Sequence, residues 1–150
     1  MELWELTARE QIRDLLARYT WAGDRGRIDD LVALFLPSGV LDVGDHGGRW
    51  EGQAAIGAEL RAVVARSAGG ASEEGYGAGP VHHHVSSIAI DDLAAASATV
   101  RSYFAVHTAH GVDHWGRYRD RVVNTGVGWA FAERIVTVDG AAPGSRFVAD

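Results

Sequence analysis

Between residues 81 and 138 the chain passes through four β-like runs in succession, at about 81–91, 96–108, 115–125 and 127–138. "DDLAA" and "HGVDH" separate the first three, and Gly126 to Gly128 mark the last turn. Connections this short join antiparallel neighbours, because a parallel pair needs a crossover of a dozen residues or more. The second half therefore reads as a meander, a sheet that must cover one face with something else.

The first half supplies the cover. "LTAREQIRDLLARYTWAGD" opens with Thr7 as an N-cap and Glu10 three residues on, a capping-box spacing. Ile12, Leu15, Leu16 and Tyr19 then recur at helical intervals, and Gly23 and Gly26 bracket the stop. A second, short helix starts near Asp29 with Leu31, Leu34 and Phe35 as its apolar stripe, and Pro37 ends it. "GVLDVGDHGGRWEG" reads as a hairpin with Val40 and Leu41 in one arm and Trp50 in the other. "QAAIGAELRAVVARSA" is a third helix, with Ile56, Leu60 and Val63 or Val64 on one face. The Gly-rich, acidic stretch "GGASEEGYGAGP" is expected to be a mobile loop. Helices first and a meander afterwards is an α+β pattern, and 150 residues is the length of one domain, taken here as 1–150.

Composition narrows the function. Net charge is -6, and no run of Lys or Arg appears, which argues against nucleic acid as a partner. With no Cys, disulfides, thiolate metal sites and Cys nucleophiles are excluded. "MELWELTARE" lacks the basic and apolar regions of a signal peptide, and no stretch approaches the ~18 apolar residues of a membrane span. The expectation is a cytoplasmic protein without a membrane partner.

Taken in order, "IRDLLARYTWAGDRGRIDDLVALF", "GRWEGQAAI", "HHHVSSIAI", "GRYRD" and "GWAFAERIV" resemble the SnoaL-like branch of the NTF2-like superfamily. No single motif is specific; their order and spacing carry the likeness, over nearly the whole chain. The resemblance implies a cone: three N-terminal helices packed on a strongly curved antiparallel sheet, enclosing a deep pocket. It also implies proton-transfer chemistry in an apolar cavity without metal or organic cofactor, and a homodimer. Members include isomerases, dehydratases, a dehydrochlorinase, an epoxide hydrolase and polyketide cyclases, but also binders without catalysis, so the fold alone does not give function.

Several residues are candidates for the chemistry. Ile12 and Asp24 reproduce the family spacing Ile-x(11)-Asp, with Tyr19 five residues before the Asp. In "GDRG", Asp24 could equally be a helix-ending residue; the order of motifs favours the pocket. Side chains alternate along a strand, so His82 and His84 share one face, while His83 shares the other with Val85, Ser87 and Ala89. The small residues suit a cavity wall. The His-x-x-x-Asn motif of the dehydrochlorinase places its base at His83, with Ser87 in place of Asn. A one-residue bulge would swap the faces and promote His82 or His84 instead. His82 and His84 could hold a metal as a His-x-His pair, but no acidic ligand follows in "VSSIAI", so no metal is expected.

On the third run, Tyr118 and Asp120 share a face with Val122 and Asn124, while Trp115, Arg117, Arg119 and Arg121 share the other, read as a solvated or intersubunit surface. Tyr118 could give its hydroxyl to a substrate oxygen; Asn124, Ser87, Trp21 and Trp50 complete the expected substrate-binding set. There is no "GxSxG" elbow for a Ser nucleophile. The expectation is a cofactor-independent lyase or isomerase. His83 is its general base, Asp24 orients the ring, and Tyr19 holds or protonates a substrate oxygen. The substrate is a small apolar cyclic alcohol or ketone. The alternatives are a binding or accessory protein with the same pocket, and an epoxide hydrolase.

Overall fold

The computed structural model describes residues 1–69, 80–145 and 147–148, and of 67–69 the backbone only. The elements run α1 (Leu3–Asp24), α2 (Ile28–Val32), β1 (Phe35–Asp42), β2 (Arg49–Glu51), α3 (Gln53–Gly69), β3 (His82–Asp91), β4 (Ser97–Thr108), β5 (Gly111–Asn124) and β6 (Trp129–Ala141). The stretch expected as a mobile loop falls, over residues 70–79, outside the described residues.

Six strands form one sheet in the order β2-β1-β6-β5-β4-β3. The four later strands pair antiparallel, as the short connections require. β1 differs: it pairs parallel with β6 while β2 folds back on it, with Leu41 opposite Trp50. Phe35 is therefore not in a helical stripe. The Phe131 N–H donates to the Leu34 carbonyl at 2.9 Å, so the chain has already left the helix to join the sheet. Pro37 fits in β1 because it falls where the register shifts, between Phe35 and Val40, and no ladder bond needs its missing N–H. α1 also starts earlier than Thr7. The Glu5 carboxylate accepts the Glu2 N–H at 2.7 Å, closing the first turn, and the Thr7 hydroxyl donates inside the helix to the Leu3 carbonyl.

The sheet curls, and four irregularities account for it. Register shifts occur in β3 between Ser86 and Ala89, in the β4–β5 ladder at Val106/His107, and in the β5–β6 ladder at Trp115/Gly116 and Arg121/Val122. Each bulge bends its strand and increases the local twist. At Gly116 the curl leaves no space for a side chain: a Cβ would lie 2.0 Å from the Thr137 carbonyl oxygen and 2.9 Å from the Phe104 ring. The helices close the concave face. Ile12, Leu15 and Leu16 of α1 meet Leu31, Phe35, Ile56, Val100, Val122 and Phe131 in the main core, and Phe104, Val106 and Tyr118 form a smaller cluster beside it. No helix among the described residues is long and apolar enough to cross a membrane.

Candidate active site

Between the concave face and the helices lies a cavity of about 350 Å³, walled mostly by apolar groups from α1, α2, α3, β3, β4 and β5. Its polar side chains are few: Asp24, His83, His114, Tyr19 and Tyr118 among them. A second lobe shares His83, His114, Tyr19 and Tyr118 and extends to His46 and Trp50. That is the usual make-up of a small-molecule site, an apolar wall with a small number of placed polar groups.

Asp24 is the last residue of α1, and His83 the second of β3. One carboxylate oxygen, Oδ1, lies 2.5 Å from His83 Nδ1; the other, Oδ2, accepts the His83 backbone N–H at 2.9 Å. A carboxylate only accepts, so Nδ1 carries a proton, and in the neutral ring Nε2 keeps its lone pair. No described residue bonds Nε2, and His83 lines the cavity. His82 and His84 are exposed on the outer face, where the His84 ring meets His107 edge-on at 4.6 Å. Among the described residues no three His, Asp or Glu side chains converge where one ion could sit.

Tyr19 and Tyr118 stand together on the floor, ring centroids 6.3 Å apart. Burial raises both phenols above their ordinary pKa, against the opposing charge of Arg134, so both hold their protons and act as donors. Behind them the Arg134 guanidinium sits 4.1 Å from the Tyr19 ring, 4.0 Å from Tyr118 and 4.4 Å from Phe131. It donates from Nε and Nη2 to the two Asp120 oxygens at 2.8 and 2.7 Å. Burial disfavours this cation, but the charge of Asp120 and its hydrogen bonds outweigh burial and hold Arg134 above its usual pKa. This braced cation keeps both phenol rings in place.

Three expected binding residues lie elsewhere. Trp21 is 60% exposed, with Arg25 over its ring at 4.4 Å. Two residues on from Tyr19, it is more than half a turn round the helix and faces away. Ser87 lies on the outer face, in a groove with Arg101 and Arg119. It sits in the β3 bulge with φ 51°, so the alternation that holds at His83 and Val85 slips, and Ile88 and Ile90 turn inward in its place. Asn124 works at the end of β5: its amide donates to the Ala95 carbonyl, and its oxygen accepts the Gly126 N–H. Trp50 does reach the second lobe.

Two groups of side chains were not foreseen. "HGVDH" was expected to be a connector, but β5 begins at Gly111, and Asp113 and His114 lie within it. Asp113 Oδ2 lies 2.7 Å from His114 Nδ1 and accepts the Ser145 hydroxyl at 2.6 Å. Burial pushes His114 below the usual His pKa against the upward pull of Asp113, and the charges of His83 and His46 add to the lowering. The Asp120–Arg134 pair lay beyond simple counting: the turn sets Asn124 opposite Trp129, a register that would pair Asp120 with Glu133, and the shift at Arg121/Val122 brings Arg134 there instead.

The whole architecture has known counterparts. A candidate scytalone dehydratase from Novosphingobium aromaticivorans DSM 12444 superposes with a TM-score of 0.74 at 22% identity, covering 95% of this chain and 91% of that one. An NTF2-like protein with a cystatin-like fold from Novosphingobium aromaticivorans reaches 0.72 at 23% identity, over 94% and 88% of the two chains. A candidate aromatic ring hydroxylase from the same organism reaches 0.72 at 20%, over 94% and 97%. Identities this low show the fold alone. No curated protein matches the chain at a significant level. The SnoaL-like domain model, however, matches residues 4–135, almost the whole α+β cone, and on that match the chain belongs to the SnoaL-like family.

Proposed function

We propose that the protein is a proton-transfer enzyme, a lyase or isomerase that needs no metal or organic cofactor and acts on a small apolar cyclic alcohol or ketone. The observation that carries this reading is the contact between Asp24 and His83 at the wall of an apolar cavity. His83 Nε2 takes a proton from a carbon next to a carbonyl, and the negative charge of Asp24 offsets the imidazolium that forms. The Tyr118 hydroxyl, which has no partner among the described residues, donates to the substrate oxygen where charge builds up. In elimination the imidazolium returns its proton to the departing hydroxyl, which leaves as water; in isomerisation it returns the proton to a different carbon. Elimination of water is favoured, in keeping with the dehydratase name of one structural neighbour.

The test is a panel of cyclic ketones and β-hydroxy ketones incubated in D2O and followed by mass spectrometry for deuterium uptake or loss of water. Turnover of at least one compound is expected, lowered about 10²–10⁴-fold in His83→Gln and Asp24→Asn. Turnover unchanged in both folded variants would refute the assignment. Tight binding without any turnover would favour a binding protein.

A further inference from the structure

His83 is not the only imidazole in the cavity tied to a carboxylate. In the ladder of the sheet, Val106 of β4 lies opposite both His83 of β3 and His114 of β5. The two histidines are therefore two strand spacings apart, ~10 Å along the concave face. The Phe104 ring lies between them, 6.5 Å from His83 and 5.9 Å from His114. Each ring spends Nδ1 on its own Asp, and no described residue bonds either Nε2.

The two differ in setting. The His83 side chain is 30% exposed, that of His114 12%, and the Asp113 carboxylate behind His114 is 5% exposed and also holds Ser145. His114 packs between aromatic rings, Phe104 at 5.9 Å and Phe147 at 5.5 Å. A buried imidazole of this kind resists protonation. A proton on His83 opposes one on His114, since like charges repel. Of the two rings His114 is therefore the harder to protonate, and while neutral it offers a lone pair. A neutral acceptor in an aromatic slot does not attract carboxylates or phosphates. It complements an uncharged proton donor on a flat ring.

We propose that the Asp113–His114 pair recognises a free hydroxyl on the substrate ring, a phenol, enol or ring alcohol, accepting its proton as a hydrogen bond at His114 Nε2. The substrate then bridges the cavity, its hydroxyl at His114 and its reacting carbon at His83. The inference rests on reading the cavity as the substrate site, but not on His83 being the base, and binding measurements separate the two.

The probes are 4-nitrophenol and 4-nitroanisole, alike except for the hydroxyl proton, titrated by absorbance at a pH that keeps the phenol protonated. The wild type is expected to bind the phenol at least about tenfold more tightly, since the ether leaves Nε2 buried without a partner. His114→Phe should abolish the preference, and His83→Phe should keep it. The double variant Asp113→Asn/His114→Phe serves where the single one fails to fold, by removing the orphaned carboxylate. In the wild type, the ¹⁵N resonance of His114 Nε2 should move on adding 4-nitrophenol and not on adding 4-nitroanisole. The proposal is overturned by equal affinity for the two probes, by a preference that survives His114→Phe or vanishes in His83→Phe, by an unmoved Nε2 resonance, or by no saturable phenol binding. None of these results touches the turnover test of His83.

Discussion

Replacing Asp120 with Leu should be among the most damaging single changes in the protein. The Asp120 side chain is fully buried and that of Arg134 1% exposed, and both carboxylate oxygens are committed to the guanidinium. Without the carboxylate, the cation remains sealed among Tyr19, Tyr118 and Phe131. The rings still attract it, by about 2 kcal/mol in a desolvated setting, but they cannot replace an anion. Removing one partner of a buried pair costs about 3–5 kcal/mol, a large share of the 5–15 kcal/mol typical of a whole domain. For a domain of this length, each kcal/mol moves the melting point by about 2–4 °C, so a fall of about 6–20 °C is expected. Urea unfolding followed by fluorescence of the five tryptophans measures the free energy directly. The control is Asp120→Leu/Arg134→Met, which removes both charges and should recover most of the loss. A cost below about 1 kcal/mol in the single variant, or a double variant worse than the single, would refute the account of Arg134 as a cation dependent on its Asp.

Three further outcomes follow from particular geometries. His114 sits below its ordinary pKa when folded, so the unfolded chain binds its proton more readily; stability should be full above about pH 6.5 and fall as pH drops from there toward the lowered folded value. Urea midpoints across that window should fall less in His114→Phe, and parallel loss in both proteins would contradict the assignment. Gly116→Ala should cost about 3 kcal/mol, because the Thr137 carbonyl is backbone in a ladder and cannot withdraw; a near-native melting curve would show that the curl relaxes there. Ser87→Val should lose about 1 kcal/mol or more while Ser87→Gly loses little, since φ 51° suits glycine and not a β-branched residue; equal stability of the two would mean the bulge is not held in that conformation.

What could be read from the chain, and what could not, divides along the range of the interactions. Helical spacing and short turns are local, and they carry the α+β layout. Asp24 and His83 were legible as partners only because the order of motifs supplied a long-range link that periodicity lacks. The parallel pairing of β1 with β6 has no local signal at all. Ser87 was misplaced because a strand alternates only until a bulge intervenes, and a bulge of ordinary residues leaves no mark in the sequence. Trp21 was misplaced by residue type, although counting round the helix from Tyr19 turns it outward. Asp113 and His114 looked like loop polarity; only the tight return of the chain at Gly111 brings them into β5 and beside the cavity.

The double grip of Asp24 on β3, ring by one oxygen and backbone by the other, ties the orientation of His83 to the docking of a helix end. The imidazole cannot swing independently of the strand that carries it, nor the strand slide without dragging the ring off its carboxylate. Remodelling of the pocket is therefore unevenly tolerated. The wall from α2, α3 and the far end of β5 can be rebuilt for other ligands with the dyad left standing. Any insertion between Tyr19 and Asp24 resets helix, strand and imidazole together.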